Sequence, residues 1–355
     1  MKTHFPSMIL TVAAYVATLF FLLALTIHES SAAPYYEGKT ITIVRGGTPG
    51  GTGERQARTV VPFLKKYIPG NPGIVVLHMP GAGGRKAANY VYHTRRKDTT
   101  LAAIGGGLAV GPILGLPGVN YDLNKLNYLG STESGTPYLF YTRKEVGLDS
   151  LDKLRAAPVV KVGAQTVGHP IYYSARIIAY ILDLKNQKYV TGYSGREMDL
   201  AVLRGEIDGR TNNATTLLRR NPEWVERGMI NVHVTITVPK GRFHPRFKDV
   251  PTVDSFAKTD MDHKLLSMFR ALMYPRWPFF LAPGAPKESV SILKEAFRKT
   301  FQDPEFMKYF KKMMGTEASP LNAEEVEQAI AAIPRDPEVL ALFKALAGPG
   351  PLPSR

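Results

Sequence analysis

Beyond residue 36 the chain alternates short β-branched apolar runs with segments whose apolar side chains recur at helical spacing. Thr40-Ile41-Thr42-Ile43-Val44 reads as a strand, a glycine loop runs from Gly46 to Gly53, and residues 54–66 read as a helix burying Ala57, Val60, Val61 and Leu64. Pro69-Gly70-Asn71-Pro72 stops that helix. A second strand, residues 74–79, leads through Pro80-Gly81-Ala82-Gly83-Gly84 into a helix over 85–94. A third, residues 101–104, ends at Gly105-Gly106-Gly107. Strand, loop, helix and strand in this rhythm predict parallel sheets covered by helices, an α/β fold.

The middle of the chain repeats the logic. Residues 139–142 and 159–162 are expected strands, 170–184 a helix whose first position suits proline, 189–191 a strand, and 197–204 a helix closed by Gly205. Residues 207–211 and 231–238 read as further strands. After Pro251 helices dominate, over 261–273, 287–301, 304–314, 323–332 and 337–346, and Gly348-Pro349-Gly350-Pro351 reads as a frayed tail. Two α/β units with terminal helices suggest two lobes, the chain crossing near Gly130-Ser131 and again near Thr237-Val238.

The start of the chain changes where such a protein is expected to work. Lys2 supplies a positive charge, residues 9–26 an uncharged apolar run, and Ser30-Ser31-Ala32-Ala33 small residues for a peptidase, so residues 1–32 read as a signal peptide cleaved after Ala32. The run is about long enough to span a bilayer, so an uncleaved anchor is the alternative. With no cysteine the chain can carry neither a lipid anchor nor a disulfide nor a cysteine-bound metal, and the expected location is the periplasm, not as a lipoprotein. About 320 residues remain after cleavage, enough for two globular domains.

A net charge of +15 suits nucleic acid, an anionic surface or anionic small ligands. Export separates the chain from the genome, and its 45 Lys and Arg are scattered instead of gathered in a stripe, so no nucleic-acid partner is expected and anionic small ligands rank first.

Glycine-rich turns after a strand aim backbone N–H groups and a helix N-terminus at an anion, which makes Gly46 to Gly53 the most informative segment. It is not a nucleotide P-loop, which needs Lys and Ser or Thr after the final glycine, nor a dinucleotide fingerprint, whose third glycine is replaced by Gln56. Glu54 would repel a large polyanion, so a carboxylate held by neutral amides fits better. The three glycines of Gly81 to Gly84 let the backbone approach either a ligand or a neighbouring loop. Residues 163–169, ahead of Pro170, form a second anion-binding candidate. Arg210 reads either as a carboxylate fork or as a salt bridge at the surface or between lobes.

Catalytic signals are weak. The eight histidines contain no His-Glu-x-x-His pair, and Ser194 lacks the Gly-x-Ser-x-Gly spacing. Asp199, Glu206 and Asp208 read as solvated carboxylates, Trp224 as packing at a helix start, and Phe297, Phe301, Phe306 and Phe310 as core. No catalytic residue, metal site or cofactor is expected.

Taken in order, these pieces resemble a known family. The strand 40–44, Gly50-Gly51-Thr52, Ala57-Arg58, Pro80 to Gly84, Gly192-Tyr193, Leu203-Arg204-Gly205-Glu206-Ile207-Asp208, Asp249-Val250-Pro251-Thr252-Val253, Leu281-Ala282-Pro283-Gly284-Ala285-Pro286 and Asp303-Pro304-Glu305-Phe306 are similar to segments of the tripartite tricarboxylate transporter receptors, or Bug proteins. The resemblance implies a type II periplasmic-binding-protein fold with a first lobe of residues 33–130 and 239–355 and a second of 131–238. It further implies a monomeric receptor that delivers a small carboxylate to integral membrane transporter subunits. Carried over by position, the ligand-binding residues would be Gly50, Gly51 and Thr52, then Thr166, Gly168 and His169, then Tyr193, Ser194 and Asn212. The chain departs from the pattern at Gly53 and Glu54, where a hydroxyl residue and Asp are usual, in the loop Gln165 to His169, usually serine-rich, and at Asn212, a commonly acidic position. The identity of the acid, and transport as against feeding a sensor kinase, stay open, as does, more remotely, an exported enzyme on the same scaffold.

Overall fold

The computed structural model describes residues 33–105 and 107–355, so the expected signal peptide lies outside the described residues. β1 (Thr40–Arg45), α1 (Thr52–Tyr67), β2 (Gly73–His78), α2 (Arg85–Tyr92) and β3 (Thr100–Ala103) follow the predicted rhythm, with β1 parallel to both β2 and β3. After α3 (Val110–Ile113), β4 (Asn127–Ser131) reaches the far side of this sheet. The chain then leaves and builds β5 (Tyr138–Arg143), α4 (Leu151–Ala156), β6 (Val160–Gly163), α5 (Pro170–Ile181), β7 (Gln187–Val190), α6 (Gly195–Leu203), β8 (Gly209–Asn213), α7 (Ala214–Arg220), α8 (Pro222–Glu226) and β9 (Ile230–Ile236). It passes through α9 (Asp260–Met273) and returns as β10 (Pro278–Leu281), followed by α10 (Lys287–Gln302), α11 (Pro304–Met314), α12 (Ala323–Ala331) and α13 (Pro337–Ala347).

The strand orders are β2-β1-β3-β10-β4 and β7-β6-β8-β5-β9. Each sheet has three parallel strands and, between the third and the last, an antiparallel strand built directly after the chain has crossed between sheets. β4 and β10 escape a reading of alternation because they are short and almost wholly buried, which erases the period-two signal. Residues 207–211 were expected as a strand; the ladder instead runs from Gly209 to Asn213, all buried although mostly polar, their backbone shared with β5 and β6.

Phe297, Phe301, Phe306 and Phe310 form the core between the first sheet and α1, α10 and α11, with Phe279 of β10 against Phe297 at 4.9 Å between ring centres. Trp224 is buried edge-on against Tyr141, as expected of helix-start packing. The C-terminal end is not frayed. Arg176 of α5, itself buried, donates to the carbonyls of Leu346, Gly350 and Pro351 at 2.8, 2.8 and 3.0 Å, and Tyr172 Oη donates to Gly348. A buried guanidinium demands such acceptors, and this one finds them only along the returning backbone. Among the described residues no helix is long and apolar enough to cross a membrane.

Candidate functional site

The two sheets aim the C-terminal ends of their parallel strands at a common cleft, as open α/β sheets do. On the first side β1 ends at Arg45, whose guanidinium is buried, donates to the Ala103 carbonyl and lies 5.1 Å from the Trp277 ring centre. Burial pulls its pKa down to about 10, so it stays a cation at neutral pH, and its Nε has no partner. Gly53 makes room for it: a Cβ there would stand 1.7 Å from Arg45 Nη2 and 2.6 Å from Trp277. The glycine loops pack on each other as well as on the cleft. A Cβ on Gly46 would meet Gly84 Cα at 2.7 Å, and one on Gly107 would meet the Gly83 carbonyl at 2.8 Å.

α1 begins behind Gly51, which has no side chain to cap the first-turn amides, so this N-terminus faces the cleft with its own donors. Glu54 stays ionised, its charge paired locally. It folds back to accept the Gly50 amide, bonds Arg58 Nε at 2.7 Å and lies 3.5 Å from His78, and these partners, the Gly50 amide first, hold its pKa at about 2.

The second side is built differently. His169 caps α5: its Nδ1 accepts from the Ile171 amide at 3.2 Å, which places the ring proton on Nε2, and burial together with the Arg210 charge lowers its pKa to about 4. Ser194 and Glu197 close α6 in a capping box, and Asn213 caps α7 through the Thr216 amide at 2.8 Å. Those amides are therefore satisfied by their own side chains, and the second lobe offers side-chain donors instead. Asn212, 1% exposed, accepts from the Asn213 amide through Oδ1 and keeps a partnerless Nδ2.

Arg210 is an ion-pair residue within the lobe, 2.8 Å from Asp199, which also lies 3.2 Å from Arg220. Asp199 is thus buried and paired, not solvated as its sequence context suggested. Glu206 sits exposed beside Arg204, and Asp208 accepts from the Lys161 amide.

The cleft encloses about 270 Å³. Arg45, Arg196, Arg210, Arg220 and Arg276 line it together with the Gly46–Gly53 loop, Tyr138, Asn213, Thr216 and Trp277, and among the described residues no carboxylate lines it. Gly50, Gly51, Thr52, His169, Ser194 and Asn212 of the expected set are in this lining. Thr166, Gly168 and Tyr193 are not: Thr166 is exposed and turns the loop through its carbonyl, Gly168 supplies a φ of +78°, and Tyr193 packs on the hydrophobic core. Thr52 Oγ1 spans the lobes, accepting from Arg219 Nη2 at 2.7 Å and bonding Thr216 Oγ1 at 3.1 Å.

Glu133, 3% exposed in the first crossing, ties the parts together. Its carboxylate accepts from Gln56 of α1 at 3.0 Å, Thr215 of α7 at 3.1 Å and Trp277 Nε1 at 3.2 Å, and lies 3.2 Å from Arg276 Nε. Sequence reasoning missed Glu133, Arg45, Arg276 and Trp277. The one local sign was an arginine ending a β-branched strand directly before a glycine loop.

Two five-stranded sheets of the order 2-1-3-n-4, joined by two crossings and holding a polar cleft, define the type II periplasmic-binding-protein fold. Solved structures share it. The periplasmic binding protein BugD matches with a TM-score of 0.68 and 16% sequence identity over 88% of this chain and 99% of its own. An R. palustris protein with adipate matches at 0.67 and 18% over 87% and 98%, and MatC from Rhodopseudomonas palustris with bound malate at 0.64 and 18% over 87% and 99%. No family model matches the sequence, nor does any curated protein.

Proposed function

We propose that the chain is an extracytoplasmic solute-binding receptor of the tripartite tricarboxylate transporter type, which captures a small organic acid between its lobes and delivers it, as a monomer, to integral membrane subunits. The observation that carries this reading is a cleft whose charged lining is entirely arginine, faced by an uncapped helix N-terminus and by donors from both lobes. Such a site stabilises an anion. Two proteins of the same fold hold malate and adipate. Export through residues 1–32 belongs to this reading, as does binding in place of catalysis: the cleft histidine is neutral and committed to a helix cap, with no nucleophile on it.

Thermal-shift titration of the purified protein against organic acids, sugars and divalent metals tests the proposal. Acids should raise the melting temperature as their concentration passes the dissociation constant. A shift by sugars or metals with none by any acid would sink it. Asn212→Leu, which removes the unpartnered Nδ2 donor from the cleft wall, should weaken acid binding about tenfold.

A further inference from the structure

Of the five arginines that line the cleft, Arg196 and Arg220 stand at one end, with Arg219 and Arg55 close by but outside the lining. Arg196 stands in the first turn of α6, Arg219 and Arg220 end α7, and Arg55 lies in the first turns of α1. Burial, and then repulsion from Arg55, Arg220 and Arg196, pull the Arg219 guanidinium down to about 10. Two carboxylates are ion-paired at this end: Asp199, shared between Arg210 and Arg220, and Glu54, which accepts the Gly50 amide and pairs with Arg58. Arg196 reaches over to the first lobe, where its Nη2 would lie 3.7 Å from a Cβ on Gly50. Gly195 is kept clear for Arg220, whose Nη1 would stand 2.8 Å from a Cβ there. Buried donors are left without partners on α7, Arg219 Nε, in the β8 wall, Asn212 Nδ2, and beside Trp277, Arg276 Nη1.

Like charges gathered from three helices and two lobes repel unless something between them compensates. A carboxylate is planar and carries one charge on two oxygens, enough for two guanidinium groups, as Asp199 shows. A phosphoryl or sulfonate group presents three oxygens on a tetrahedron and accepts from several forks at once, and the phosphoryl group brings nearly two charges. We propose that the ligand is an organic acid bearing such a tetrahedral oxyanion. That group lies between Gly50–Gly51 and the arginines of α6 and α7, and the remainder of the ligand extends toward Arg276 and Trp277. The inference deepens the receptor reading and rests on it.

Calorimetric titration with propionate, succinate, 3-phosphonopropionate and 3-sulfopropionate separates the two. The tetrahedral acids, or one of them, should bind at least about tenfold more tightly than succinate, and whichever binds tighter identifies the group. Arg196→Gln, which breaks no hydrogen bond among the described residues, should cut that preference about tenfold, while Lys308→Gln, a charge removed on the exposed face of α11, should leave it unchanged. Succinate binding as tightly as both, or a preference untouched by Arg196→Gln, overturns the inference and leaves the receptor reading standing. Binding of none of the four by the folded protein overturns the inference, and the receptor reading then stands or falls with the thermal-shift titration.

Discussion

Single side chains in this cleft are explained by what must stand beside them. Gly53 occupies a position where the family resemblance leads one to expect a hydroxyl, and the reason is spatial: Arg45 and Trp277 fill the volume a side chain would need. Gly53→Ser should therefore displace both, lowering stability by about 1–3 kcal/mol by overpacking and weakening acid binding, as read from urea unfolding and calorimetry. His169 and His233 are both held near 4, chiefly by burial, from an ordinary value of 6.5. A folded pKa below the unfolded one means that the unfolded chain takes up the proton first. Stability should thus fall as pH drops from about 6.5 to about 4 and stop falling from this source below it. Glu54, held at about 2, adds a second loss between about 4.5 and 2. His169→Asn, which keeps a cap for α5, should flatten the upper window in a melting-temperature profile; an unchanged slope would clear His169 of that role. Thr52 and Asn212 were legible as candidates from their place after glycine loops and strands, and both line the cleft, whereas Arg45 looked like any strand-end arginine until burial singled it out.

At the level of elements, the long amphipathic helices and the strands with β-branched runs are where their periodicity puts them, Pro170 opens α5, and Gly205 ends α6 with a φ of +72°. α7 was not legible. Its sequence, Ala-Thr-Thr-Leu-Leu-Arg-Arg, is short and rich in threonine, and it forms because Asn213 caps it and because its first turn is buried against the crossing. This helix carries Thr215, Thr216 and Arg219 to the first lobe. Asn213→Ala should cost about 1 kcal/mol in urea unfolding and weaken acid binding, since the loss of the cap loosens the element that positions three cleft contacts. β10 was missed because Pro278-Phe279-Phe280-Leu281 is covered on both faces, and a short all-apolar run reads equally as buried helix or strand.

For the molecule as a whole, Glu133 joins four segments that are far apart in sequence, and a buried carboxylate beside a buried arginine makes their approach cooperative. Glu133→Gln keeps the shape but leaves Arg276 without its counter-charge, so stability should fall by about 3 kcal/mol, seen as a lower urea midpoint. A midpoint equal to that of the parent protein would show that Arg276 does not depend on the pair. Taken alone, the sequence determined the α/β class, most of the strand–loop–helix order, the glycine loops as an anion-facing edge and the cationic balance, because periodicity, turn chemistry and charge are properties of neighbouring residues. Only the tertiary structure decided that β5 and β10 insert after the crossings and that the tail is strapped over α5. It also decided that second-lobe helices are capped by their own side chains and that arginines from both lobes converge on one cleft without a lining carboxylate. The reason is that burial and ion pairing depend on which distant segments meet, and an arginine's charge is the same in the sequence whether water or another lobe stands opposite it.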